Sequence, residues 1–107
     1  MPWKSRLGPK RLELLHELVP VATMALLINP TNPVLAETEL RNVEAAARTL
    51  GVQLHVVRAN TEHDIDTVFG TLVQLRAGGL LIGPDPFFNT RYQQLAGLSV
   101  SHAVPAI

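Results

Sequence analysis

Apolar positions along the chain follow two periods. Short, nearly unbroken apolar runs fall at 21–28 (Val-Ala-Thr-Met-Ala-Leu-Leu-Ile), 52–58 (Val-Gln-Leu-His-Val-Val-Arg) and 80–83 (Leu-Leu-Ile-Gly). A further short run, Val104-Pro105-Ala106-Ile107, closes the chain. Runs of this length bounded by turn residues predict strands, and the first is apolar enough to be buried on both faces. Between them apolar residues return every three or four positions, the spacing of helices with one buried face. A first helix is predicted over 9–19, with Leu12, Leu15, Leu18 and Val19 inward, Lys10, Arg11, Glu13 and Glu17 outward, and Pro20 as its stop. A second over 33–50 turns Ala36, Leu40, Val43, Ala47 and Leu50 inward and leaves Glu37, Glu39, Arg41, Glu44 and Arg48 to the other faces. A third over 62–76 buries Ile65, Val68, Phe69, Leu72 and Leu75, and a last over 88–101 carries Tyr92, Leu95 and Leu98.

Turn chemistry agrees with these bounds. Asn32 with Pro33 suits an N-cap followed by a first helical residue. Gly51 suits a left-handed C-terminal stop, and Thr61 with Asp64 reads as a capping box. Ala77-Gly78-Gly79 ends the third helix. Strands alternating with amphipathic helices predict a three-layer α/β fold: an open parallel sheet of about four strands with helices on both faces. Right-handed crossovers then give the strand order 2-1-3-4.

Composition narrows the function classes. With 107 residues, the chain suits one domain; residues 1–8 read as a disordered N-terminal stretch and 9–107 as a single lobe. At 47% hydrophobic and 17% charged, it is too apolar to be disordered as a whole. Zero net charge argues against a nucleic-acid partner, which needs a basic excess. The absence of cysteine rules out disulfides, a thiolate zinc site and a cysteine nucleophile. The basic start, Met1-Pro2-Trp3-Lys4-Ser5-Arg6, is broken by Leu7-Gly8-Pro9 before any signal-peptide core develops, so a cytoplasmic location is expected if this is the whole gene product.

Candidate chemistry gathers where a parallel sheet binds ligands, outside the carboxyl ends of its strands. Three loops leave those ends: Asn29 to Asn32, Asn60 with Thr61, and Pro84 to Asn89. Each opens a helix, so backbone N–H groups are expected at one rim, suited to a carboxylate or other small anion. Asn29, Thr31, Asn32, Asn60, Asp85 and Phe87 are the candidate ligand-binding residues. The same residue types are ordinary caps and turns, and one of Phe87 and Phe88 is expected in the core. No cofactor motif is present: neither G-x-G-x-x-G, nor a P-loop, nor a G-x-S-x-G elbow. His16, His55, His63 and His102 have no metal-ligand spacing; His16, His63 and His102 are expected at the surface and His55 packed or at the rim. A phosphoacceptor role for Asp85 fails, because Asn29 and Pro30 stand where magnesium-binding acids would be needed and no lysine follows.

From Lys10 to Ile107 the chain resembles one lobe of an ABC-transporter substrate-binding protein of the tryptophan/tyrosine type, with a type I periplasmic-binding-protein, flavodoxin-like lobe. The resemblance is carried by Arg11-Leu12-Glu13-Leu14-Leu15-His16-Glu17-Leu18-Val19-Pro20, Leu27-Ile28-Asn29-Pro30-Thr31-Asn32-Pro33 and Val43-Glu44-Ala45-Ala46-Ala47-Arg48. Leu54-His55-Val56-Val57-Arg58-Ala59, Asp85-Pro86-Phe87-Phe88-Asn89 and His102-Ala103-Val104-Pro105-Ala106-Ile107 complete it. It implies the second of two hinged lobes, periplasmic placement, an ABC permease as partner and an amino-acid-like solute, aromatic ones included. By position, Asn29, Thr31 and Asn32 would offer hydrogen bonds, Asp85 would accept from an ammonium group, and Phe87 would line a side-chain pocket. The signal peptide, first lobe, returning segments and hinge of that family are missing, so a fragment or truncated form is expected. The alternative is a stand-alone α/β structural domain that forms a homodimer through surface a second lobe would cover. An enzyme ranks last, because no catalytic constellation appears.

Overall fold

The longest apolar run forms the centre of the sheet. In the computed structural model, residues 7–18 and 23–107 are described. Their elements are α1 (Leu7–Leu18), β1 (Thr23–Ile28), α2 (Pro33–Leu50), β2 (Gln53–Arg58), α3 (Glu62–Leu75), β3 (Leu80–Ile82), α4 (Pro86–Thr90) and α5 (Tyr92–His102). The strands are parallel in the order β2-β1-β3. Met24 of β1 is level with Leu54 and Leu26 with Val56 on one side, and Ala25 with Leu80 and Leu27 with Ile82 on the other.

Met24 through Ile28 are all buried, because β1 has a strand on each edge and helices over each face. Its side chains divide by strand alternation. Met24, Leu26 and Ile28 join Leu12 and Leu15 of α1 and Ala36, Val43 and Ala47 of α2. Ala25 and Leu27 join Ile65, Phe69 and Leu72 of α3, Phe88 of α4 and Leu95 of α5. Two apolar layers, one on each face, make the predicted three-layer α/β arrangement.

The fourth strand is present as a bridge. Val104 is buried, and Ala106 is level with Leu80 in parallel. Leu80 N–H donates to the Pro105 carbonyl at 2.8 Å, Ile107 N–H to Leu80 at 3.0 Å and Ile82 N–H to Ile107 at 2.9 Å. Pro105 contributes a carbonyl but no N–H, which keeps the pairing short. The order 2-1-3-4 therefore holds, with three full strands among the described residues.

Local signals behave as read at most helix ends. Gly51 is left-handed (φ 72°), with Val52 N–H closing onto the Ala47 carbonyl at 2.9 Å. Thr61 caps α3 by accepting from Asp64 N–H at 3.0 Å, and Asp64 reaches back to Asn60 N–H at 3.2 Å. Other expectations need correction. α1 starts at Leu7 rather than Pro9. Its expected stop at Pro20, the inward Val19, and Val21 and Ala22 lie outside the described residues, as do residues 1–6 and the Leu18 side chain. α3 ends at Leu75, with Arg76 and not a glycine in the left-handed region (φ 56°).

The expected helix over 88–101 is two helices. Asp85 accepts from Phe87 N–H and Pro86 follows as first helical residue, so α4 starts early; Arg91 (φ −109°, ψ 21°) then breaks the run. Tyr92, just after this break, is 72% exposed. His102 is half-buried, its ring 5.6 Å from Phe69 and its Nδ1–H bonded to the Leu98 carbonyl at 3.0 Å. Among the described residues, no helix is long and apolar enough to cross a membrane.

Candidate functional site

β1 and β3 deliver their exit loops side by side at the carboxyl edge of the sheet, and glycine makes this closeness achievable. Gly83 N–H donates to the Leu27 carbonyl at 2.8 Å. A Cβ on Gly83 would stand 2.8 Å from that same carbonyl oxygen, too close for any other residue without a shift. Asp85, two residues on, thereby comes level with the loop that follows Ile28.

Asp85 is 4% exposed, and its carboxylate clamps the two loops together. Oδ2 accepts from Asn29 Nδ2 at 2.9 Å and from Phe87 N–H at 2.9 Å. Oδ1 accepts from Asn32 Nδ2 at 2.7 Å. On the far side of its amide, Asn29 Oδ1 accepts from Thr31 N–H at 3.0 Å and Thr31 Oγ1 at 2.7 Å. Buried polar groups require such partners. Asn32 is at the N-cap position, but its side chain makes no capping bond because it is turned to Asp85.

Asn29, Thr31, Asn32 and Asp85 are thus one connected network. Phe87 adjoins it through its backbone; its half-buried ring lies 5.9 Å from Phe88 and 5.6 Å from the Arg91 guanidinium. Phe88 is the core member of the pair. Asn60 stands apart on the β2 exit loop, exposed, its N–H committed to Asp64. The expectation of N–H groups at the rim is narrowed at some positions. Pro33 and Pro86 bring none, while those of Thr31, Asp64 and Phe87 are taken by neighbouring side chains.

Two further groups escaped the sequence reading. Glu39, expected on an outer face of α2, is buried (8% exposed) and lines a small cavity with Asn29, Asn32, Gly83 and Asp85. Burial pushes its carboxyl above the ordinary value of 4.5, and the charge of Arg11 on α1 opposes that rise. Burial likewise lowers Arg11, with Glu39 opposing. The spacing was visible, since Glu39 lies three residues after buried Ala36 and four before buried Val43. Arg91 is the second: it pairs with Glu62 at 2.7 Å, tying the α4–α5 junction to the start of α3. Among the described residues, no group of three or more His, Asp or Glu side chains is placed to hold a metal ion.

No family model matches the chain, and no curated protein matches it. Among solved structures it is similar to an extracellular ligand-binding receptor from Verminephrobacter eiseniae EF01-2, with a TM-score of 0.69 at 18% identity. The match covers 95% of this chain and 29% of the receptor chain, so the chain spans less than a third of the receptor's length. The fold is that of an α/β lobe found in a ligand-binding receptor.

Proposed function

We propose that this lobe binds a small solute of amino-acid type, aromatic side chains included, at the carboxyl ends of its strands. In this reading it is part of an ABC-transporter substrate-binding protein that works in the periplasm with a membrane permease. The observation that carries it is the Asp85 clamp, which fixes the polar exit loops of β1 and β3 to one another. The lobe shared with an extracellular ligand-binding receptor supports it. Asn29 and Asp85, both buried, hold the loops in place. Exposed Thr31, Asn32 and Asn60 then supply hydrogen bonds to solute, and the half-buried Phe87 supplies an apolar wall. The test is an NMR titration of the labelled chain with amino acids and short carboxylates. Saturable shifts confined to 29–32, 60 and 85–89 are expected; a well-folded sample that shows none overturns the reading.

A second reading is a stand-alone α/β domain that pairs with a second copy. It is favoured by an apolar groove between α5 and the terminal segment, lined by Ile82, Tyr92, Leu95, Val100, Ala106 and Ile107. Tyr92 and Val100 there are 72% and 82% exposed. Exposed apolar surface of this kind promotes association.

A further inference from the structure

The Asp85 clamp joins the exit loops of β1 and β3 and takes no group from the β2 exit loop, where Asn60 stands. A second set of ties runs from that loop to the β3 side. The loop is fastened to the start of α3, because Asp64 Oδ2 accepts from Asn60 N–H and Thr61 Oγ1 from Asp64 N–H. Glu62, the first residue of α3, takes Arg91 Nη1 on Oε1 at 2.7 Å. Gln94 Nε2 donates to the Glu62 carbonyl at 3.0 Å and to Asp66 Oδ1 at 3.2 Å. Arg91 also carries its guanidinium over the Phe87 ring, 5.6 Å from the ring centre. One side chain therefore meets both the start of α3 and the ring proposed above as the apolar wall.

These ties add little to folding. The Glu62 and Arg91 side chains are 61% and 39% exposed, and ion pairs so exposed contribute little net stability. Arg91 Nε is buried with no hydrogen-bond partner among the described residues, which costs free energy. Their effect is geometric. A guanidinium is planar, so it can bond a carboxylate through its edge and stack on a ring through its face. Arg91 stands at the break between α4 and α5, four residues after Phe87, a spacing that brings two side chains together.

We infer that Arg91, held by Glu62, is a positioning residue of the solute site. It sets the Phe87 ring and the Asn60 loop relative to one another, and thereby sets the preference for solutes with an aromatic side chain. This role rests on the solute-binding reading above and names what fixes the side-chain end of that site.

Phenylalanine and alanine are titrated by NMR into the full chain, wild type and variants, with thermal melts alongside. The wild type should bind phenylalanine more tightly than alanine. In Arg91→Gln, phenylalanine should bind about threefold or more weakly, the scale of one cation–π contact, and alanine as in the wild type. Glu62→Gln should act in the same direction, and the double variant should lose no more than Arg91→Gln alone, because the two residues act as one unit. Arg91→Lys, which keeps the charge but not the planar face, should fall between. Melting temperatures should stay close to that of the wild type. Without solute, Arg91→Gln should shift the Phe87 ring signals and the Asn60 amide together. Unchanged phenylalanine affinity in Arg91→Gln, or equal losses for both amino acids, removes the role and leaves solute binding standing. A large fall in melting temperature also removes it, by making the pair a structural one. A well-folded wild type that binds neither amino acid overturns the solute reading itself, and this role with it.

Discussion

A carboxylate on the core side of α2 raises the free energy of the folded chain whenever it is ionised. Burial lifts the Glu39 carboxyl above its ordinary value, against the pull of Arg11. A folded-state value above the unfolded one means that the folded chain holds the proton more tightly. Its contribution is therefore fully present below about pH 4.5 and is lost as pH rises through the folded value. Glu39→Gln should remove this slope and melt at a higher temperature than the wild type at neutral pH. Thermal melts of both at a series of pH values from acid to neutral check this; parallel curves would refute it. Gly83 gives a second residue-scale expectation. Gly83→Ala puts a methyl group 2.8 Å from the Leu27 carbonyl, which is backbone and cannot swing aside. A cost of about 1–3 kcal/mol in chemical denaturation is expected, as for other overpacked sites. Neither feature stood out in the sequence. Glu39 shares the inward spacing of Ala36 and Val43, but its charge argued for the outside; Gly83 reads only as the last residue of the apolar run 80–83.

Elements were legible wherever local chemistry alone decides the boundary. α2 matches its predicted bounds because Pro33 can only start a helix and Gly51 is suited to end one. The run after β3 was not legible as two helices, because its start depends on where the Asp85 side chain goes. That side chain serves α4 as a cap and the β1 loop as a clamp at once. Asp85→Ala therefore removes a cap and leaves Asn29 and Asn32 amides without their acceptor. The two losses together should cost about 2–4 kcal/mol in denaturant unfolding. Amide chemical shifts should also change in both exit loops, not in α4 alone; a change confined to α4 would reduce Asp85 to a simple cap. The ends of α3 and α5 make the opposite point. Arg76 and Ala103 hold left-handed conformations (φ 56° and 54°) that glycine adopts freely. Ala103→Gly should stabilise the chain by about 0.5–1 kcal/mol, measured as a shift in the urea midpoint at constant slope.

The layout of the whole molecule could be read because strand and helix periods alternate so regularly. One strand apolar throughout, β1, must lie centrally, and right-handed crossovers then fix its neighbours on either side. The contents of the rim were half legible. Asn29, Thr31, Asn32 and Asp85 were grouped by their place after strands, whereas which of them would spend their hydrogen bonds on each other depends on side-chain directions that spacing does not carry. The same limit applied to the outer edge, where Tyr92, just after the break at Arg91, lies exposed beside Val100. That edge allows the two functional readings to be set against each other. If the groove along α5 and the terminal segment holds a second copy, sedimentation equilibrium will show a dimer at micromolar concentration. Tyr92→Ser with Val100→Ser will then dissociate it while leaving the circular dichroism unchanged, since both side chains lie outside the core. The double variant should still respond to solute at 29–32 and 85–89, because the groove and the cavity beside those loops share no lining residue. A wild-type chain that stays monomeric across that range removes the dimer reading and leaves the rim as the surface through which this lobe acts.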